Sequence, residues 1–552
     1  MQQLVSISAL EVPGKFTARF VCPRGFSSHG LSANAGIIQG DGNNKLNGSK
    51  SGAQGEGAHV LKILLLLPLF GALLLTLLPG RKVDLLRHVA ALVTGATAIC
   101  SWWVLAGFEP GIADFQFFET RPWNPRVGSS FALGVDGFSL PMVLLATMLT
   151  FVAVLASSGI RTGAKVYYAL ILFLESAVLG VFTARDWSLF YVFWELTLIP
   201  LFFLIDRMGG PNRHRAALNF VLYTMGGSVF MLVSFLLLYD AAPEHSFAMA
   251  DMATGGATLP VKTQVLIFVG LLLGFGVKMP IVFLHGWLPL ADVEAPSPVA
   301  ILLSGLLQKM GAYGLIRAVA TLPGAALVLQ DWLAVLAFVG IVYGAVLAWR
   351  QTNLKAIVAY SSISHMGVVL LGIATLNVAG LSGAVMQMVA HGLTAGMLFL
   401  LIGLLQERTQ TCDLLAYWSL NKSAPRFAVL LVFAFLAAVG PPGSAGFIAE
   451  LHVLIGGFER WGGWLPVLSV AVMISAAYAL RVIRRLSTGP QRAPGSPGLG
   501  AFNVAVFTDL SRVEVACAGL LAAGVVFVGF FPSPLLGLIA ASVAQLARQF
   551  GV

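Results

Sequence analysis

FYVFWELTLIPLFFLI (190–205) and VLIFVGLLLGFGVKMPIVFLHGWLP (265–289) each carry one formally charged side chain inside a long apolar run, Glu195 in the first and Lys278 in the second. Both runs have the composition of a helix crossing a hydrocarbon core. A lone charge at membrane depth costs at least ~2.5–3.5 kcal/mol even on the mildest scale, so such residues face a polar interior and mark an ion path. Lys278 lies two residues before Pro280 and just after Gly274 and Gly276. A helix broken there leaves unpaired backbone groups beside the amine, tolerated only where they face protein or a water-filled cavity. The two stretches imply an all-α membrane protein whose interior conducts protons.

Composition agrees along the whole chain. Its 552 residues are 58% hydrophobic and only 10% charged, with a mean hydropathy of +0.87. Globular domains carry about 25% charged residues. Apolar stretches of spanning length recur from about residue 60 onward, and about fourteen transmembrane helices are expected, centred near 70, 96, 149, 174, 195, 227, 273, 307, 338, 365, 392, 440, 473 and 524. The net charge of +9 bears on topology and gives no reason to expect nucleic acid. Loops after odd-numbered helices hold roughly eighteen Lys and Arg, among them Arg81, Arg207, Arg213 and Arg484, against roughly six in even-numbered loops. The odd-loop face is therefore the cytoplasmic or matrix side.

The four cysteines, Cys22, Cys100, Cys412 and Cys517, include no CxxC pair, so iron–sulfur and structural zinc sites lack their ligand spacing. No glycine-rich loop follows an expected strand, which disfavours a nucleotide site. No cofactor and no metal is expected in this chain, and any redox chemistry belongs to partners. Residues 1–59 read differently from the rest. They are rich in Ser, Gly and Asn, with Lys15, Arg19 and Arg24 against one acid, Glu11, in the first forty residues. That composition suits a mitochondrial transit peptide with a cut after Phe26, or a plain polar extension. It places the protein in the mitochondrial inner membrane. A bacterial plasma membrane or a thylakoid membrane is the alternative.

Two expected helices are interrupted alike. The seventh carries Gly274, Gly276, Lys278 and Pro280. The twelfth, AVGPPGSAGFIAELHVLIGGF (438–458), carries Gly440, Pro441, Pro442 and Gly443, with Glu450 following. Proline removes a backbone donor and clashes with the preceding turn, so both helices should be broken. Broken helices five apart are the pattern of two inverted repeats, helices 4–8 and 9–13, with an ion site near each break. The expected division is 1–59 as the N-terminal segment, 60–158 as helices 1–3, 159–320 and 321–486 as the repeats, and 487–552 as a linker with helix 14. Segments 108–138 and 486–511 read as Pro/Gly-rich loops.

A proton path needs groups that exchange protons near neutral pH. Glu195 is the candidate entry or relay carboxylate and Lys278 its partner, since a neighbouring carboxylate holds a proton on a buried amine. Breaking that pair would switch the lysine. Lys309 on helix 8 passes the proton inward, His365 and His391 on helices 10 and 11 titrate where a relay needs them, and Glu450 closes the line. Each has a plainer reading as a structural group, most of all the two histidines. Glu175 on helix 4 is a further acid in this interior. His285, Asp292 and Glu294 follow helix 7 and either line the channel or cap helix ends.

At these residues the chain resembles the antiporter-like subunits of respiratory complex I, subunit 4 (chain M of the bacterial enzyme). The matching stretches are WELTLIPLFFLI, FGVKMPIVFLHGWLPLADVEAP, LLQKMGAYGLIR, NLKAIVAYSSISHMG, MVAHGLTAGMLFLLIGLLQER and GFIAELHVLIGGF, which with their spacing cover about residues 60–540. The resemblance implies a fourteen-helix subunit that pumps protons, driven by NADH oxidation and ubiquinone reduction elsewhere in the complex. It implies the other membrane-arm subunits, especially the other antiporter-like ones, and the lipid bilayer as partners. It also implies a central charged axis through Glu195, Lys278, Lys309 and Glu450, joined by His365 and His391. Asp292 and Leu290 depart from the family around the turn after WLP, where a histidine is usual at 292, and Cys412 stands where an arginine is common. The alternatives are a monovalent cation/proton antiporter subunit, the equivalent subunit of a photosynthetic-type complex, and a non-conducting scaffold of the membrane arm.

Overall fold

The computed structural model describes residues 50–417, 419–463, 468–488 and 508–551; the expected transit peptide and its cut after Phe26 lie outside them. Each of the fourteen expected spans contains helix. Helices 1 to 4 are Lys50–Leu77, Val83–Ala106, Leu140–Ala156 and Ala164–Thr183. Helix 5 runs as Trp187–Leu196 and Leu198–Met208, and helix 6 as Arg213–Ala241. Helix 7, Val261–Lys278, stops at the lysine, and a short helix Leu288–Glu294 follows the break. Helices 8 to 11 are Ser297–Thr321, Pro323–Arg350, Leu354–Ala374 and Val378–Thr409. Helix 12 is split into Pro425–Val439 and Ala445–Trp461, and helices 13 and 14 are Leu468–Ser487 and Arg512–Phe530. Among the described residues, twelve helices are long and apolar enough to cross a membrane.

Both expected breaks are present. At the second, Gly440 (φ 77°) and Gly443 (φ 92°) take left-handed backbone, which glycine adopts without steric cost. At the first, the chain turns at Pro280, and the indole of Trp287 donates to Val277 O at 2.8 Å. That bond satisfies a carbonyl the missing helical turn leaves open.

Burial sorts the helices into inner and outer sets. The apolar windows of helices 8 and 11 are 100% buried and that of helix 10 is 89% buried, whereas helices 2, 14 and 6 reach only 28%, 33% and 39%. Helices apolar all round belong inside or against lipid. Accordingly Leu222, Phe230 and Leu237 on helix 6 and Trp332 on helix 9 lie exposed, where hydrocarbon covers them in a membrane. Lys309, His365 and His391 all ride on the three innermost helices.

Two expectations change. Segment 108–138 is not a plain loop: strands β1 (Gln116–Asn124) and β2 (Ser129–Val135) pair antiparallel, with Arg121 opposite Phe131. The hairpin is possible because Gly128 (φ 59°) packs where any Cβ would come within 2.3 Å of His245 O, and Lys62 on helix 1 pairs with Glu119 to hold it. The C-terminal region holds a further helix, Ser533–Arg548, after helix 14. Phe531-Pro532-Ser533-Pro534 divides what the sequence offers as one apolar tail.

A buried ionic cluster fastens the hairpin to helix 8. Arg317 donates to Asp136 Oδ2 at 2.6 Å, and Arg185 lies 3.8 Å from Asp136 Oδ1. Arg185 also donates to Gly134 O, Ser139 Oγ and Tyr313 Oη. Burial alone would raise the Asp136 carboxyl, but the two guanidiniums outweigh it and hold the group below the ordinary carboxylate range.

Candidate functional site

Helix 5 bends where Lys278 reaches it. Pro200 has no N–H to give the carbonyl four residues back, and Thr197, the residue between the two helical pieces, turns its hydroxyl back to Trp194 O at 2.8 Å. Lys278, fully buried, donates to Thr197 Oγ1 at 2.7 Å and to Trp194 O at 3.3 Å, and sits 4.1 Å from the centroid of the Trp194 ring. The helix bend, a hydroxyl and an aromatic face therefore hold the amine, through ordinary donor and cation–π contacts.

Glu195 takes no part in that cradle. The expected Glu195–Lys278 contact is not made: among the described residues no ion pair within 4.0 Å joins them. Successive helical residues point about 100° apart, so Trp194 faces the interior while Glu195 looks outward. Glu195 lines an open groove of about 1040 Å³ with Tyr191, Val192, Ile199, Phe202 and Met225. Its Oε1 is buried there without a hydrogen-bond partner. The two groups remain close enough to interact electrostatically.

Helix 8 meets the break of helix 7 through the glycines of KMGAYG. A Cβ on Gly311 would come within 2.5 Å of Phe275 O and 2.6 Å of Met279 N, and one on Gly314 within 2.4 Å of the Phe275 ring. Just before Lys309 the helix widens into a π turn, Leu303–Leu307, the kind of irregularity that concentrates at functional sites. Lys309 donates to Ser304 O at 2.6 Å and lies 2.6 Å from His391 Nδ1. When Lys309 is an ammonium it has only donors, so Nδ1 then accepts and the ring proton sits on Nε2. Close approach makes this contact possible: a Cβ on Gly392, next to His391, would meet Gly305 O at 3.1 Å.

From His391 the line continues. Its ring centroid is 5.3 Å from that of His365. His365 Nδ1 lies 3.2 Å from Gln387 Nε2 and 3.7 Å from Glu450 Oε1. Two small cavities are both walled by His365 and Glu450; the first also touches His391, Gln387 and Thr394, the second Ser364 and Ser475. Each has room for a water or two, and the two to four polar partners a water needs stand in these walls. Lys309, His391, His365 and Glu450 thus form one contiguous polar file, and Lys278 stands one helix away across the Gly311 contact.

The remaining sequence candidates divide. Glu294 is a fastener: its Oε2 accepts from Asn212 N at 2.9 Å and its Oε1 from Asn212 Nδ2 at 3.2 Å. Glu175 is fully buried with neither oxygen partnered, as is Asp292. His285 packs against the Tyr343 ring at 5.1 Å between centroids. The sequence reading overlooked Lys355, buried at the start of helix 10, whose Nζ donates to Ala295 O at 2.9 Å. The signal was there: a lysine inside the first turn of an inner apolar helix, behind the N-cap Asn353. Thr197 and Ser304, the lysines' neutral partners, carry no such signal.

A helical membrane body with two broken helices and a buried file of lysines, histidines and a carboxylate defines an antiporter-like membrane subunit. The chain belongs to the NADH:quinone oxidoreductase/Mrp antiporter transmembrane family, whose model matches residues 184–475, and within it is of the subunit 4 (chain M) type. It is 37% identical over 501 residues to NAD(P)H-quinone oxidoreductase chain 4 of Thermosynechococcus vestitus, covering 89% of this chain and 92% of that one. It is 36% identical over 507 residues to NADH-quinone oxidoreductase subunit M of Rhodobacter capsulatus, covering 89% and 97%. Its fold matches a chain of respiratory complex I from Thermus thermophilus with a TM-score of 0.79 at 32% identity, covering 89% of this chain and 100% of that one.

Proposed function

We propose that this chain translocates protons as a membrane-arm subunit of an NADH:quinone oxidoreductase complex. The observation that carries the reading is the Lys309–His391–His365–Glu450 file, hydrogen-bonded at its first step and sharing a cavity wall beyond it. Glu195, in its outward groove, is the uptake carboxylate, and Lys278 is the switch whose proton is held through Thr197 and released when Glu195 changes charge. A proton leaving Lys309 reaches His391 directly, then His365, then Glu450, with water filling the two cavities. One passage leaves Lys309 neutral, Glu450 protonated and the imidazoles in their other tautomer; reprotonation of Lys309, release of the proton from Glu450 and a tautomer exchange of the rings restore the groups.

The repeats over 159–320 and 321–486 contribute one lysine side and one carboxylate side of this path. A cation/proton antiporter is the second reading, because the family includes such subunits. The file offers amine and imidazole nitrogen where a hard cation needs several oxygens, which favours protons. Redox groups are assigned to other subunits and no cofactor to this one. Partners are the other antiporter-like subunits and the bilayer. Placement in the mitochondrial inner membrane rests on residues 1–59, while the relatives above are bacterial, which supports a bacterial membrane; a mature N terminus at Ser27 would decide for the mitochondrion.

The test is Lys278→Ala in the assembled complex, reconstituted in vesicles. Pumping should fall strongly with assembly preserved. Full proton stoichiometry from assembled Lys278→Ala complex would overturn the assignment.

A further inference from the structure

Asp292 is fully buried, and neither of its carboxyl oxygens has a hydrogen-bond partner. A buried carboxylate in that state is costly unless opposite charge compensates it. Two buried lysines offset part of that cost: Lys309 from helix 8 and Lys355 from helix 10 both interact electrostatically with it. The short helix Leu288–Glu294 that carries Asp292 packs against helix 10. The Lys355 amine is fixed to that helix's end by its 2.9 Å bond to Ala295 O, three residues past Asp292.

Lys355 in turn lies at the odd-loop face. Asn353, two residues before it, bridges to Asp413, and Leu354 N donates to Cys412 O at 2.8 Å. Glu294, Glu407 and Cys412 face the same amine. Beside Lys309, the Oε1 of Gln308 is buried with no partner. A line of groups therefore runs from the positively charged loops to Lys309 at the start of the file, separate from Glu195 and its groove.

We infer that Asp292 and Lys355 form a second inlet, which delivers protons from the odd-loop side to Lys309. This rests on the proton-translocation reading and adds a path to it. In each passage the Lys355 ammonium gives a proton to the Asp292 carboxylate, leaving a neutral amine and a carboxylic acid. The acid then protonates the neutral Lys309 amine and returns to carboxylate, while Lys355 regains a proton from the odd-loop side. Asp292 is the group whose chemistry this path needs; a neutral residue of the same shape breaks it.

The experiment compares Asp292→Asn, Asp292→His, Lys355→Met and Lys278→Ala in assembled complex reconstituted in vesicles, reading protons moved per electron. Asp292→Asn keeps the shape and should lower the ratio as far as Lys278→Ala does, as should Lys355→Met. Asp292→Asn complex must match the parent in assembly, and Asp292→His, which titrates with a different shape, should restore the ratio. A purely structural role would favour Asn over His. The inlet is refuted if Lys278→Ala lowers the ratio while Asp292→Asn leaves it intact, or if His is no better than Asn. An intact ratio in Lys278→Ala would instead bring down the translocation reading itself.

Discussion

Replacing Lys309 separates its charge from its capacity to titrate. In Lys309→Met the side chain keeps its length but loses its bonds to Ser304 O and His391 Nδ1. Hydrogen bonds to a charged donor contribute about 1.5–3 kcal/mol each, so about 3–6 kcal/mol is lost. Removing a charge from membrane depth returns at least ~2.5–3.5 kcal/mol. The two nearly cancel, leaving a net destabilisation of about 0–3 kcal/mol, and the subunit should still assemble. Lys309→Arg keeps the charge, but a guanidinium does not give up its proton. Both variants should therefore cut the file while leaving the assembled complex recognisable on a native gel. The assay is proton uptake by vesicles per NADH oxidised, beside the melting temperature of the complex. Normal pumping by Lys309→Arg would show that charge suffices and that the amine does not relay. A collapse of assembly in Lys309→Met would show that the lysine is chiefly structural.

Other outcomes follow from the packing and the ionic cluster. Gly311→Leu drives side-chain atoms into Phe275 O and Met279 N; overpacking of this kind costs about 1–3 kcal/mol or more, and the yield of assembled complex should drop. Trp287→Phe leaves Val277 O without its donor, which should destabilise by about 1–3 kcal/mol, seen as a lower melting temperature. Because the folded Asp136 carboxyl titrates below its unfolded value, its contribution is present above about pH 4 and fades as pH falls through the depressed folded value. Asp136→Asn should therefore lower the melting temperature at neutral pH, where two buried guanidiniums lose their counter-charge at about 3–5 kcal/mol, and should flatten the acid limb. Equal melting temperatures at pH 7 would contradict the cluster's role.

The chemistry-bearing residues were legible because a charge inside twenty apolar residues has few explanations, and because glycine and proline at 274–280 and 440–443 cannot continue a helix. What escaped was what the chain's periodicity does not encode. Glu195 and Lys278 look like a pair in sequence, but which face of helix 5 turns inward is settled by packing, and Trp194 took that face. The β hairpin hides in a segment whose polar and aromatic residues alternate irregularly around Pro122 and Pro125. Asp136, Arg185 and Arg317 lie up to 181 positions apart, so only the tertiary fold brings them together. The π turn before Lys309 leaves no mark, since each of its residues is compatible with ordinary helix. KMGAYG, by contrast, reads well afterwards: its two glycines are what lets helix 8 touch the broken end of helix 7.

The most direct measurement is the number of protons moved per electron by complex carrying His391→Leu, with assembly and NADH oxidation followed in the same vesicles. His391 touches Lys309 on one side and faces His365 on the other. The account predicts a ratio below that of the parent complex, as far below as for Lys309→Met. An unchanged ratio from fully assembled His391→Leu complex would mean that protons cross this subunit by another route or not at all.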